Sequence, residues 1–144
     1  MIKKLEAVAA IREFNRFYTN IIGVVNRKIL ESPYSLSEVR VLYEIRNTPL
    51  CTARKIKNTI QIDEGYLSRI IEKFVNGKLV KKVQSGDDGR LFVLSLTPKG
   101  NKLFNRLNES SDSSIEALVN KLTDHEMQEV ITMLDGIRRI LSKQ

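Results

Sequence analysis

The chain is predicted to be mainly α-helical, with one two-stranded β hairpin wedged between helices, and three observations carry that prediction. The stretch Ser85-Gly-Asp-Asp-Gly-Arg90 separates two short β-branched and apolar runs, Val80 and Val83 before it, Leu91, Val93 and Leu94 after it. Such runs around a Gly-Asp-Asp-Gly tip read as strands joined by a tight turn whose glycines supply positive φ. Residues 52–76 read as two short helices joined by a brief turn. Long segments with helical apolar spacing flank both features.

The first segment, residues 2–30, holds no proline and one glycine, and places Leu5, Val8, Ile11, Phe14, Tyr18, Ile21, Ile22, Val25 and Ile29 mostly three or four apart. That spacing predicts one long amphipathic helix. Thr52 is the expected N-cap of the helix running through Ala53-Arg-Lys-Ile-Lys57, and Asp63 that of the next, with Glu64 in its first turn favouring the helix dipole. Leu67, Ile70, Ile71 and Phe74 then fall at i, i+3, i+4 and i+7, which buries one stripe. The opposite face carries Tyr66, Ser68, Arg69, Glu72 and Lys73, side chains that donate to bases or phosphates.

The hairpin follows and presents Arg90 at its tip. Thr97 is the expected cap of the next helix, with Pro98 at its first position, where a missing N–H costs nothing. Leu103, Phe104, Leu107, Ile115, Leu118, Val119 and Leu122 mark that amphipathic segment. A last helix is expected after the capping box Thr123-Asp-His-Glu126, with Met127, Val130, Ile131, Leu134, Ile137, Ile140 and Leu141 as its apolar residues. Helix, turn, helix and basic hairpin, in that order, make a winged helix-turn-helix.

Charge points to the same region. The formal net charge is +7, and residues 1–39 contribute +2, residues 40–99 contribute +6 and residues 100–144 contribute −1. The excess sits in the helix-turn-helix and wing, where a polyanion's counterions would be displaced.

The chain resembles the MarR family of bacterial transcriptional regulators. The residues that carry the resemblance are Ser68-Arg69 midway along the second short helix, the step Leu79-Val80 into the wing, Asp88-Gly89-Arg90 at its tip and Leu96-Thr97-Pro98-Lys99-Gly100 at its exit. Each motif is weak alone, and the ordered set is specific. Three departures stand out. Asn76-Gly77-Lys78 places its glycine one residue earlier than the family does before the Leu-Val step; Gly89 replaces a commonly basic wing residue; Lys57 stands where the family has a small residue.

The resemblance implies one domain over residues 1–144, with dimerisation helices at 1–31 and 101–144 around a winged helix-turn-helix at 36–99. It implies that the terminal helices interdigitate with those of a second subunit. The large apolar surface of three such helices independently asks for a partner. It further implies a homodimer on a pseudo-palindromic double-stranded DNA operator, with Arg54, Lys57, Tyr66, Ser68, Arg69, Lys73, Asp88 and Arg90 at the DNA. Family members form a small-molecule pocket between the dimerisation and DNA-binding parts, and Phe14, Tyr18, Tyr34 and Tyr43 are its expected lining here, suited to a small apolar or phenolic effector.

Catalytic chemistry is thin. His125 is the only histidine and is expected exposed among acidic neighbours, which disfavours a metal site; no cofactor is implied. Cys51 is the only cysteine, so no intrachain disulfide forms and a reducing cytoplasm suits the chain. No nucleophilic triad, phosphate loop or paired-carboxylate motif is present, so an enzyme is not expected. The terminal segment is too often interrupted by charge for a membrane span or a signal peptide. The expected function is a homodimeric, sequence-specific, cytoplasmic DNA-binding regulator, a repressor released by a small ligand. A winged-helix protein-interaction module and a sequence-indifferent DNA-binding protein are the alternatives.

Overall fold

Short polar side chains start the helices of this chain. The computed structural model describes residues 2–86 and 89–143, with the backbone alone at 2 and 24–30. The elements are α1 (Ile2–Leu30), α2 (Leu36–Asn47), α3 (Ala53–Ile60), α4 (Glu64–Asn76), β1 (Val80–Gln84), β2 (Phe92–Leu96), α5 (Pro98–Val119) and α6 (Asp124–Leu141). Thr52 caps α3 by accepting from the Lys55 N–H, and Asp63 caps α4 by accepting from the Tyr66 N–H at 2.9 Å. Both agree with expectation. The capping box Ser35-Leu-Ser-Glu38 opens α2, with reciprocal bonds between Ser35 and Glu38.

The chain divides into two compact units, residues 1–111 and 112–144. The core of the first joins Val41, Leu42 and Ile45 of α2, Ile56 of α3, Leu67, Ile70, Ile71 and Phe74 of α4, Leu79, Val80 and Leu94 of the wing, and Leu103 and Leu107 of α5. The predicted stripe of α4 is therefore the buried one. Strands β1 and β2 are antiparallel, pairing Val80 with Leu96 and Gln84 with Phe92 at the two ends. A further rung ties the sheet to the start of α3, since the Leu94 N–H donates to the Cys51 carbonyl at 2.8 Å.

The wing is locked to α5 by the Leu-Thr-x-x-Gly segment. The Thr97 hydroxyl donates to the Lys78 carbonyl at 2.7 Å and accepts from the Gly100 N–H at 3.0 Å, while the Thr97 N–H donates to the Leu79 carbonyl at 3.0 Å. A Cβ at Gly100 would overlap the Leu79 carbonyl oxygen, so this position requires glycine for close approach rather than for conformation.

The expected glycine-supplied positive φ at the hairpin is corrected for Gly86, which is not left-handed; among the described residues no glycine has positive φ. The left-handed residues are Leu50, Gln61 and Lys78. Gln61 is the C-cap of α3 at φ 49°. Lys78, at φ 59°, follows the α4 C-cap Gly77, whose own φ is −76°, so the early glycine leaves a lysine to make the left-handed turn into the wing.

In the first unit α1 carries an apolar stripe, with Leu5 72% exposed and Val8, Ile11, Phe14 and Ile22 also exposed. In the second unit the expected Thr123–Glu126 capping box is formed, and Thr123's backbone N–H, first among its bonds, holds the Glu126 carboxyl below its ordinary pKa. No residue of α6 is buried, and Val130, Ile131, Leu134, Ile137, Ile140 and Leu141 lie exposed. Among the described residues no helix is long and apolar enough to cross a membrane.

Candidate nucleic-acid interface

Two sides of α4 are presented differently, because its exposed arc is wider than one row of side chains. Glu64, Ser68 and Glu72 stand one turn apart on the wing-facing edge, above the buried Leu67 and Ile71. With Thr52, Arg54, Lys57 and Asn58 of the α3 region and Lys82, Arg90 and Phe92 of the wing, they line a groove of about 790 Å³. The groove thus brings together Arg54, Lys57, Ser68 and Arg90 from residues 36 positions apart in sequence at the extremes. Arg54 and Lys57 of α3 and Lys82 and Arg90 of the wing make two of its walls cationic, Glu64 and Glu72 stand on the α4 wall, and its floor is apolar.

Each cation in the groove is placed by its element. Arg54 and Lys57 are one turn apart on α3. The Lys57 Nζ lies 2.8 Å from Glu64 Oε2, across the turn between the two helices, and this hydrogen bond holds the Glu64 carboxyl below its ordinary pKa. Lys82, which sequence reasoning missed, has its Nζ 4.5 Å from the centroid of the Phe92 ring on the neighbouring strand. The paired lysines Lys81-Lys82 in β1 were the available signal, since alternation in a strand sends one of them toward each face. Gln84 Nε2 donates to the Gly89 carbonyl across the hairpin. Asp88, the expected partner of Arg90 at the wing tip, lies outside the described residues.

The other side of α4 carries Tyr66, Arg69 and Lys73. The Arg69 guanidinium lies 5.9 Å from the centroid of the half-exposed Tyr66 ring, so the tyrosine supports the arginine on the exposed face. Lys73 is differently engaged. Its Nζ lies 2.5 Å from Glu38 Oε2 on α2 and 5.5 Å from the centroid of Tyr34, whose ring in turn packs on Phe74 at 6.2 Å. The hydrogen bond to Glu38 raises the Lys73 pKa. Burial pushes Glu38 up, but the bonds from Lys73 and the Ser35 N–H outweigh it, and its pKa is lowered overall.

The four aromatic residues expected at an effector pocket lie in separate ring contacts. Phe14 and Tyr18 stack on α1 with centroids 5.4 Å apart, Tyr34 meets Phe74, and Tyr43 meets Phe104 at 6.3 Å. His125 is exposed in the first turn of α6. Cys51 is fully buried, and burial, first among the causes, pushes its thiol pKa up, the opposite of what activates a thiol.

Residues 32–91 match the model of the MarR family, a span that runs from the turn before α2 to the wing. The HTH-type transcriptional regulator BilQ of Clostridium symbiosum is 28% identical over 97 residues, 67% of each chain. Among solved structures, Streptococcus pneumoniae FabT in complex with DNA superposes with a TM-score of 0.79 at 16% identity, covering 94% of this chain and 97% of that one. Bordetella bronchiseptica BpsR, whose DNA binding is regulated by 6-hydroxynicotinic acid, superposes with a TM-score of 0.72 at 19% identity, covering 90% of this chain and 98% of that one. At these identities the structural likeness establishes the fold.

Proposed function

We propose, from the match of residues 32–91 to the MarR family and the likeness to an HTH-type transcriptional regulator, that the chain is a MarR-type winged-helix regulator, a homodimeric, sequence-specific, cytoplasmic repressor released by a small molecule. One observation supports the DNA-binding part above the others: Arg54, Lys57, Ser68, Lys82 and Arg90 meet in a single groove between α3, α4 and the wing. A basic groove of this kind takes a phosphate backbone along its walls while the helix beside it enters the major groove. Arg69, supported by Tyr66, is the base-reading residue, because a guanidinium pairs in bidentate fashion with guanine O6 and N7. Ser68, Arg54, Lys57 and Arg90 position the duplex. Lys73 ties α4 to α2 through Glu38.

The dimer is supported by the exposed apolar stripes of α1 and of α6, each of which asks for a covering surface. A second copy supplies both and sets two α4 helices on successive major grooves of a pseudo-palindrome. Ligand release is supported by BpsR, a relative in fold whose DNA binding is regulated by 6-hydroxynicotinic acid, and Phe14, Tyr18, Tyr34 and Tyr43 are the residues proposed to meet the effector. Selection of bound fragments from random DNA by the purified chain tests the reading. Recovery of one inverted repeat supports it; uniform retention of all sequences, or of none at low salt, overturns it.

A further inference from the structure

The wing-facing edge of α4 carries acid, hydroxyl and acid, Glu64, Ser68 and Glu72, where the proposed function brings a polyanion. Glu64 is not needed to cap its helix. Asp63 already accepts the Tyr66 N–H at 2.9 Å, and the Glu64 carboxylate instead reaches back to α3 and holds the Lys57 ammonium at 2.8 Å. Both partners face water, with side chains 80% and 46% exposed for Glu64 and Lys57, so the pair adds little to folding and exchanges readily.

We propose that Glu64 is a specificity determinant of the recognition helix, acting by exclusion: it withholds Lys57 from the DNA backbone unless the base beneath it is cytosine or adenine, whose exocyclic amine, N4 or N6, its carboxylate accepts from. The inference rests on the DNA-binding reading above and names a residue outside the positions first expected to touch DNA. Its physical basis is the acceptor-only character of an ionised carboxylate. Where guanine or thymine lies beneath Glu64, moving Lys57 to a phosphate leaves the carboxylate facing phosphate oxygens and guanine N7 and O6 or thymine O4, all acceptors, which repel it. Keeping the pair intact instead spares the counterions that Lys57 would have displaced. Where an amine donor lies in reach, the carboxylate accepts from it, and Lys57 is released to a phosphate. Discrimination then comes from a repulsive element set against the wrong partners as well as from attraction to the right one.

The test compares the full chain with Glu64→Gln, Lys57→Ala and the double variant, on a random-sequence duplex and on a fragment selected by the wild type. Glutamine both donates and accepts, so it removes the exclusion. Glu64→Gln is expected to bind the random duplex several-fold tighter at low salt. The slope of log affinity against log salt on that duplex steepens by about 0.9 for each engaged subunit, the contribution of one more phosphate contact. The selected fragment gains less, so the specificity ratio falls, and reselection with the variant loses the amine preference at one position per half-site. In the Lys57→Ala background the same change leaves the slope unaltered. Equal slopes and equal ratios for wild type and Glu64→Gln overturn the inference, and so does a steeper slope that persists without Lys57. If the wild type retains neither duplex at low salt, the regulator reading itself falls and the inference with it.

Discussion

Lys73 Nζ of α4 sits 2.5 Å from Glu38 Oε2 of α2, joining the last turn of α4 to the capping box of its neighbour. One carboxylate therefore does two things. Its Oε1 accepts from the Ser35 N–H and starts α2, and its Oε2 anchors α4, with the Tyr34 ring beside the ammonium. The half of α4 that lies away from the wing is thus strapped to the body of the domain.

This strap has a pH signature. The folded pKa of Glu38 is below its ordinary 4.5, so the ionised form is favoured by folding. Its contribution is present above pH 4.5 and is lost as pH falls through the lowered folded value. Glu38→Gln should therefore lower stability at neutral pH and give a shallower decline below pH 4.5 than the wild type, as read by urea denaturation at a series of pH values. Parallel acid limbs for the two proteins would show that the pair does not contribute.

The left-handed Lys78 at φ 59° is strained, since a side chain in that region crowds its own carbonyl. Replacing it with glycine keeps its N–H bond to the Val75 carbonyl and removes the strain. Lys78→Gly should stabilise the fold by about 0.5–1 kcal/mol in thermal or denaturant unfolding. Destabilisation of that size would mean that the lysine side chain holds the turn.

Gly100 should tolerate nothing larger, because its Cα faces the Leu79 carbonyl. Gly100→Ala should cost about 1–3 kcal/mol, the range for forcing atoms into a packed site. The wing should loosen with it, which hydrogen exchange at the Thr97 N–H would register as lost protection.

At the proposed DNA surface, Arg69→Ala should weaken operator binding by about 1–3 kcal/mol per half-site and relax preference at one base position. Arg90→Ala should instead weaken all sequences alike and flatten the salt slope by about 0.9 per wing, with unchanged melting temperature. Binding isotherms across a salt series separate the two, and an unchanged slope for Arg90→Ala would remove the wing from the interface.

The apolar stripes of α1 and α6 predict a dimer by sedimentation at micromolar concentration. Substituting lysine at Ile11, or at Ile137, both exposed in the single chain, should dissociate or unfold that dimer. A stable monomeric wild type would require another explanation for these faces.

Local signals in the sequence determined most of the elements. The caps Thr52, Asp63 and Thr123 act on an N–H three residues ahead, and the Leu67, Ile70, Ile71, Phe74 stripe repeats within one helix, so both are legible from neighbours in the chain. The motif Leu96-Thr-Pro-Lys-Gly100 was visible too, but not its cause, the approach of Gly100 to a carbonyl 21 residues earlier. The same holds for Lys73, which periodicity placed on the exposed face with the other cations. Its ion pair spans 35 residues, and only the packing of α4 against α2 turns it from a candidate phosphate contact into an anchor. Lys57 and Glu64 are seven apart on different helices, and Lys82 reaches the groove only through the register of β1 on β2. Helix starts and buried stripes are set by interactions within one or two turns. Which charge meets which is set by where whole elements dock, and that depends on the shape of the assembled core.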